Sequence, residues 1–189
     1  MRTKFLLTCL VLTLSFISCK NEEKKDVQEV VGEIKKENPK AFKVIFKVLA
    51  KKDDSFHLYY SEDGTLNFPE DKSIWVEVKG SSIPQDVVFE LPEDHIPTQL
   101  RVDFNSIQKQ ESLQILNFRM KYFNSEFIAE GKYFFDYFGP NEETVEFIDK
   151  DKVIFKPKNI EGKRYAPPSF YPSEIAIKNR IDQVVKGVK

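Results

Sequence analysis

The stretch Ala41-Phe42-Lys43-Val44-Ile45-Phe46-Lys47-Val48 decides the fold. Phe42, Val44, Phe46 and Val48 recur at every second position, with Lys43 and Lys47 between them. An extended chain therefore turns four apolar side chains to one face and the lysines to the other. A helix would scatter the same residues around its circumference, because its period is 3.6. The alternation returns downstream. Phe56, Leu58 and Tyr60 share one face, leaving His57 and Tyr59 on the other. Ile74, Val76 and Val78 alternate with Trp75, Glu77 and Lys79; Val87, Phe89 and Leu91 with Val88 and Glu90; Leu100, Val102 and Phe104 with Arg101 and Asp103. Lys51-Lys52-Asp53-Asp54, Asp63-Gly64 and Pro92 supply turns between these runs.

Residues 112–122 need a further device. Leu113 and Ile115 hold one phase, whereas Leu116, Phe118, Met120 and Tyr122 hold the other. A one-residue shift reverses every side chain of a strand, so one regular strand cannot bury both sets. A β-bulge or a break near Ile115 and Leu116 reconciles them. Further short strands are expected at 126–129, 143–148 and 152–156. Two segments leave the β pattern. Phe134, Tyr137 and Phe138 predict a short helix over 132–138, ended by Gly139-Pro140. Ile177, Ile181, Val184, Val185 and Val188 predict a C-terminal helix over 173–189, with Ser173 as its N-cap, lying on or beside the sheets. Residues 41–172 thus read as a mostly-β domain, an antiparallel β-sandwich, open or closed into a barrel. No helical stretches alternate with the strands, which argues against a parallel α/β sheet.

The N-terminus has a different character. Arg2 and Lys4 precede an apolar run over residues 5–17, and Ser18 stands directly before Cys19. That run is shorter than the ~20 residues a helix needs to span a bilayer. Phe16-Ile17-Ser18-Cys19 resembles the lipobox of bacterial lipoproteins, with Phe16 where leucine is usual. The resemblance implies that residues 1–18 are a signal peptide and that Cys19 becomes the lipidated first residue. Two or more acyl chains hold a protein firmly to a membrane. The alternative is an inert cysteine ending an uncleaved segment. Lys20-Asn21-Glu22-Glu23-Lys24-Lys25-Asp26 opens a charged tether over 19–40 and resembles tracts that direct lipoproteins of Gram-negative bacteria to the outer membrane. A short helix and a flexible stalk both fit the tether. The expected location is the outer membrane, facing periplasm or exterior.

Cleavage leaves 171 residues (189 − 18) and removes Arg2 and Lys4, taking the formal charge from −1 to −3. A chain of that balance lacks the concentrated basic face that nucleic acid requires. Cys9 leaves with the signal and Cys19 carries lipid, so no thiol remains for nucleophilic catalysis or a disulfide. The two histidines, His57 and His95, sit in no metal-type or nucleophile-elbow spacing. Catalysis is not expected, and neither is a cofactor or a metal. Asp53, Asp54, Glu62, Asp63, Glu70 and Asp71 cluster in loops, but without EF-hand spacing; solvated turns account for them.

Aromatic placement carries the functional expectation. If Phe56, Leu58 and Tyr60 face the core, Tyr59 and Trp75 face outward beside His57 and Glu77, with Arg101 and Asp103 outward on a third strand. Rings next to charged hydrogen-bonding groups suit sugar, whose apolar C–H faces stack and whose hydroxyls need partners. Leu100-Arg101-Val102-Asp103-Phe104 followed by residues 113–122, with the aromatic block at 134–138, resembles the small extracellular jelly-roll modules related to carbohydrate-binding modules. That resemblance implies a binding or structural module. Tyr59, Trp75, Arg101 and Asp103 are the candidate ligand-binding residues. The expected partner is a glycan or, alternatively, another envelope protein on which the domain docks.

Overall fold

The computed structural model describes residues 38–104, 106–107, 110–159 and 161–188. The expected signal peptide over residues 1–18, Cys19 and the expected tether up to residue 37 lie outside the described residues.

The Ala41–Val48 alternation forms the strand on which one sheet is built. β1 (Lys43–Ala50) pairs antiparallel with β4 (Gln85–Glu90) on one side and β6 (Leu113–Tyr122) on the other. β6 then pairs with both β7 (Ser125–Glu130) and β10 (Ile154–Pro157), and β10 pairs with β9 (Val145–Asp149). The second sheet runs in the order β3-β2-β5-β11-β8. It comprises β3 (Ser73–Val78), β2 (Asp54–Ser61), β5 (Gln99–Asp103), β11 (Ser169–Pro172) and β8 (Phe138–Pro140). Hairpins join only β2 to β3, β6 to β7 and β9 to β10; every other connection crosses between sheets. The result is an antiparallel, jelly-roll-like β-sandwich with few helical residues.

The phase change in β6 is resolved by a bulge. Asn117 stands opposite Lys47, but Ile115 stands opposite Val48, so Leu116 is the extra residue. Leu113 and Ile115 before it, and Phe118 and Met120 after it, are consequently all buried.

The core between the sheets is built largely from phenylalanine. Phe46 of β1 stacks on Phe118 of β6 at 5.3 Å and meets Phe104, from the opposite sheet, edge-on at 5.4 Å. Phe134, Phe138, Phe155 and Phe170 extend the same cluster. Each buried ring contributes roughly 1.5–3 kcal/mol of transfer free energy, and each good ring pair about 0.5–1.5 kcal/mol more.

The two helical segments differ in detail from the sequence reading. Gly131, at φ 50, opens a 3-10 helix over Gly131–Asp136 that buries Phe134, after which the chain extends into β8. The left-handed φ is one that a side chain with a Cβ rarely adopts. α1 (Glu174–Lys186) buries Ile177, Ile181 and Val184 against β5, β6 and β7, and so belongs to the same core as the sandwich. Ser173 occupies the N-cap position, but its side chain makes no capping hydrogen bond. Its carbonyl accepts the first helical bond, from the Ile177 N–H at 2.9 Å.

Candidate functional site

Because Phe56, Leu58 and Tyr60 are buried in the core, the alternate residues of β2 stand on the outer face of the five-stranded sheet. Register decides what meets there. His57 lies opposite Trp75 on β3 and opposite Asp103 on β5, and Tyr59 lies opposite Arg101. The four candidate residues therefore share one face with His57.

A single row of planar groups crosses the strands. Trp75 stacks on His57 with centroids 3.7 Å apart and planes inclined by 20°. His57 meets the Tyr59 ring at 3.9 Å. The Arg101 guanidinium lies 4.9 Å from the Tyr59 centroid and 4.9 Å from that of Tyr171, which β11 brings alongside β5. Trp75 at one end is 53% exposed and Tyr171 at the other 37%, whereas His57 beneath Trp75 and Tyr59 is 2% exposed. Arginine stacked on tyrosine faces gains cation–π attraction.

Asp103 holds Arg101 in place. Its oxygens accept from Arg101 Nε at 3.0 Å and Nη2 at 2.7 Å, a two-point fork. Asp103 is itself buried, so its carboxylate positions the arginine and does not face solvent. Burial of the guanidinium works against its charge, but the bonds to Asp103 and the nearby charge outweigh it and raise the Arg101 pKa. The loop between β2 and β3 adds Glu70. Its Oε2 accepts from the Tyr59 hydroxyl at 3.2 Å, and its Oε1 lies 3.7 Å from His57 Nε2. Burial, followed by the charges of Glu70 and Asp103, pushes the Tyr59 hydroxyl up to about 12. Burial likewise lowers the His57 pKa, against the pull of Glu70 and Asp103, and its Nε2 has no hydrogen-bond partner. The His57 imidazole is thus a buried, neutral plate beneath Trp75.

Tyr171 and Glu70 are the members that sequence reasoning missed. Pro167-Pro168 and Pro172 bracket Ser169-Phe170-Tyr171, and proline argues against a strand inside a sheet. The only signal was the apolar Phe170 beside an aromatic neighbour, too short to show a period. Glu70 was legible only as one of several loop acids. Those acids disperse in the fold. Asp53 meets Lys79 and the Gly80 N–H, Glu62 meets Lys72 and His95, and Asp63 caps its own turn through the Thr65 N–H and hydroxyl. Among the described residues no group of three or more His, Cys, Asp or Glu is placed to hold a metal ion.

Comparison with protein-family models, with curated proteins and with solved structures returned no match.

Proposed function

We propose that this chain is a lipid-anchored envelope protein whose β-sandwich is a noncatalytic binding module, taking glycan on the outer face of the β3-β2-β5-β11-β8 sheet. The observation that carries the reading is the row Trp75, His57, Tyr59, Arg101 and Tyr171, preassembled in stacking contact and exposed at both ends. Large exposed rings gathered on one face are unusual on a monomer and mark binding surfaces. Sugar rings offer apolar faces to Trp75 and Tyr171, while Glu70 and the outer guanidinium nitrogen of Arg101 offer an acceptor and a donor to hydroxyls. The lipobox-like Phe16-Ile17-Ser18-Cys19 supports the anchor and, with it, residence in the envelope of a Gram-negative bacterium.

Equilibrium binding of the full chain to a panel of cell-surface and dietary polysaccharides tests the reading. Binding is expected, and Trp75→Ala should weaken it about tenfold, the equivalent of one lost ring contact. Failure to bind any member, or indifference to Trp75→Ala, would sink it. Metabolic lipid labelling tests the anchor, since Cys19→Ala should lose both label and membrane association.

A second reading, docking of another envelope protein, is favoured by one observation. A cleft of about 300 Å³ between β7 and the 3-10 helix is lined by Phe127, Ile128, Tyr133 and Tyr137, and leaves Ile128 and Tyr133 exposed. A stoichiometric protein crosslinked to this cleft, with no glycan bound, would favour docking.

A further inference from the structure

We infer that the ligand of this face is an uncharged, linear glycan of several rings that runs across the strands, from Trp75 on β3 to a shelf formed by Tyr171 and Gly139. The inference rests on the glycan reading and adds the direction, length and charge of the ligand.

Direction and length follow from the sheet. The aromatic row runs from strand to strand, and neighbouring strands lie ~4.8 Å apart, so Trp75 and Tyr171 are separated by roughly 14 Å, and β8 by one step more. Only the two ends of the row are well exposed, while His57 between them is covered. Two separated stacking points with a planar middle suit a chain of sugars and give a single ring no more than one of them.

Gly139 supplies an independent observation. It stands opposite Tyr171 in the ladder, exposed, on the face away from buried Phe138. Its φ is not left-handed, and a Cβ built there would meet nothing within 4 Å. Neither backbone nor packing therefore requires glycine at this position. What its missing side chain leaves clear is the surface beside the Tyr171 ring, where a chain crossing the face would continue.

Charge excludes polyanions. Among the described residues of these strands, Arg101 is the one cation on the outer face, and Asp103 already neutralises it through two hydrogen bonds. Glu70 and Glu77 add carboxylates at the Trp75 end. A polyuronate or sulfated chain laid on this row would meet net repulsion.

Trp75 is the only tryptophan of the chain, so its fluorescence reports directly on the site. Full-length protein is titrated with neutral oligosaccharides of the polysaccharides that bind, from disaccharide to hexasaccharide, and with oligogalacturonates of equal length. We expect the Trp75 emission to shift, affinity to rise about tenfold between disaccharide and tetrasaccharide, and oligogalacturonates to bind at least ~10-fold more weakly. Gly139→Gln should cost about tenfold with the hexasaccharide and nothing with the disaccharide, at an unchanged melting temperature. Tyr171→Ala, which removes the same end of the row by a different route, should repeat that length-dependent loss. Equal affinity at all lengths, oligogalacturonate binding as tight as neutral, or loss-free binding by both variants would overturn this inference while leaving glycan binding intact. Absence of binding by any glycan would instead overturn the reading beneath it.

Discussion

The two outer faces of the sandwich are built on the same alternating pattern and reach opposite chemistries. On the six-stranded sheet, Val88, Ile45, Arg119 and Ile128 form a row in register across β4, β1, β6 and β7. Arg119 of β6 sits between two carboxylates, paired with Asp86 of β4 across β1 and 3.7 Å from Glu126 of β7, and Lys43 lies 3.8 Å from Glu90. On the five-stranded sheet, Arg101 is bonded to a carboxylate on its own strand and stacked between two tyrosines. The arginine side chains are almost equally covered, at 21% exposure for Arg119 and 24% for Arg101. Their partners are not. The Asp103 side chain is 5% exposed, against 45% for Asp86 and 47% for Glu126. The difference teaches that coverage of the cation does not set what an ion pair contributes; the solvation of its partner does. Water already reaches Asp86 and Glu126 and can replace Arg119 there, whereas the covered Asp103 carboxylate depends on its two hydrogen bonds from Arg101.

The largest expected effect follows from that contrast. Arg101→Ala should destabilise the domain by about 3 kcal/mol, because it strands a buried carboxylate, read as a lowered midpoint in urea. Replacing the pair together, Arg101→Met with Asp103→Leu, should recover most of that loss, since the stranded charge is then gone. A loss below ~1 kcal/mol for the single variant would place Arg101 with ordinary surface pairs and erase the distinction between the faces.

A smaller effect concerns His57, which has no counterpart on the charged face. Its folded pKa lies below the ordinary 6.5, with burial as the main cause. The unfolded chain then binds a proton that the folded chain refuses, so this histidine's contribution is intact above pH 6.5 and lost as pH falls toward the folded pKa. Urea unfolding of the wild type should show stability dropping from pH 7 to pH 5. His57→Phe, which keeps a ring under Trp75, should lose less over the same interval. Parallel curves for the two proteins would mean that Glu70, 3.7 Å from Nε2, rescues the protonated ring.

The smallest effect belongs to the charged face. Arg119→Ala should cost at most ~1 kcal/mol, and less as salt is added, because its carboxylate partners remain hydrated. A cost matching that of Arg101→Ala would show that the two faces are energetically alike.

Much of the fold was legible because alternation is local. A strand with one buried face must repeat its apolar residues every second position, so β1 through β6 could be read directly. The Leu116 bulge was legible from the conflict between Ile115 and Leu116, which no regular strand can satisfy. β8 and β11 were not legible. At three and four residues and flanked or ended by proline, they carry no period; β11 extends along the edge of β5, and β8 in turn along β11. The short helix predicted over 132–138 forms as a 3-10 helix over Gly131–Asp136 and stops short of Phe138. Phe138 has helical spacing from Phe134, but its burial opposite Phe46 and Phe118 is satisfied by a strand.

The sequence by itself determined which residues turn inward and which outward, and so placed Tyr59, Trp75, Arg101 and Asp103 on outer positions. It did so because side-chain direction along a strand depends only on parity. Tertiary structure alone decided that those positions are neighbours, since sheet order brings β3, β2, β5 and β11 side by side across long stretches of chain. It also decided that His57 is buried under Trp75, that Asp103 is occupied by Arg101, and that Tyr171 completes the row. Those outcomes depend on which strands pair, and pairing is set by the shared phenylalanine core rather than by any one segment.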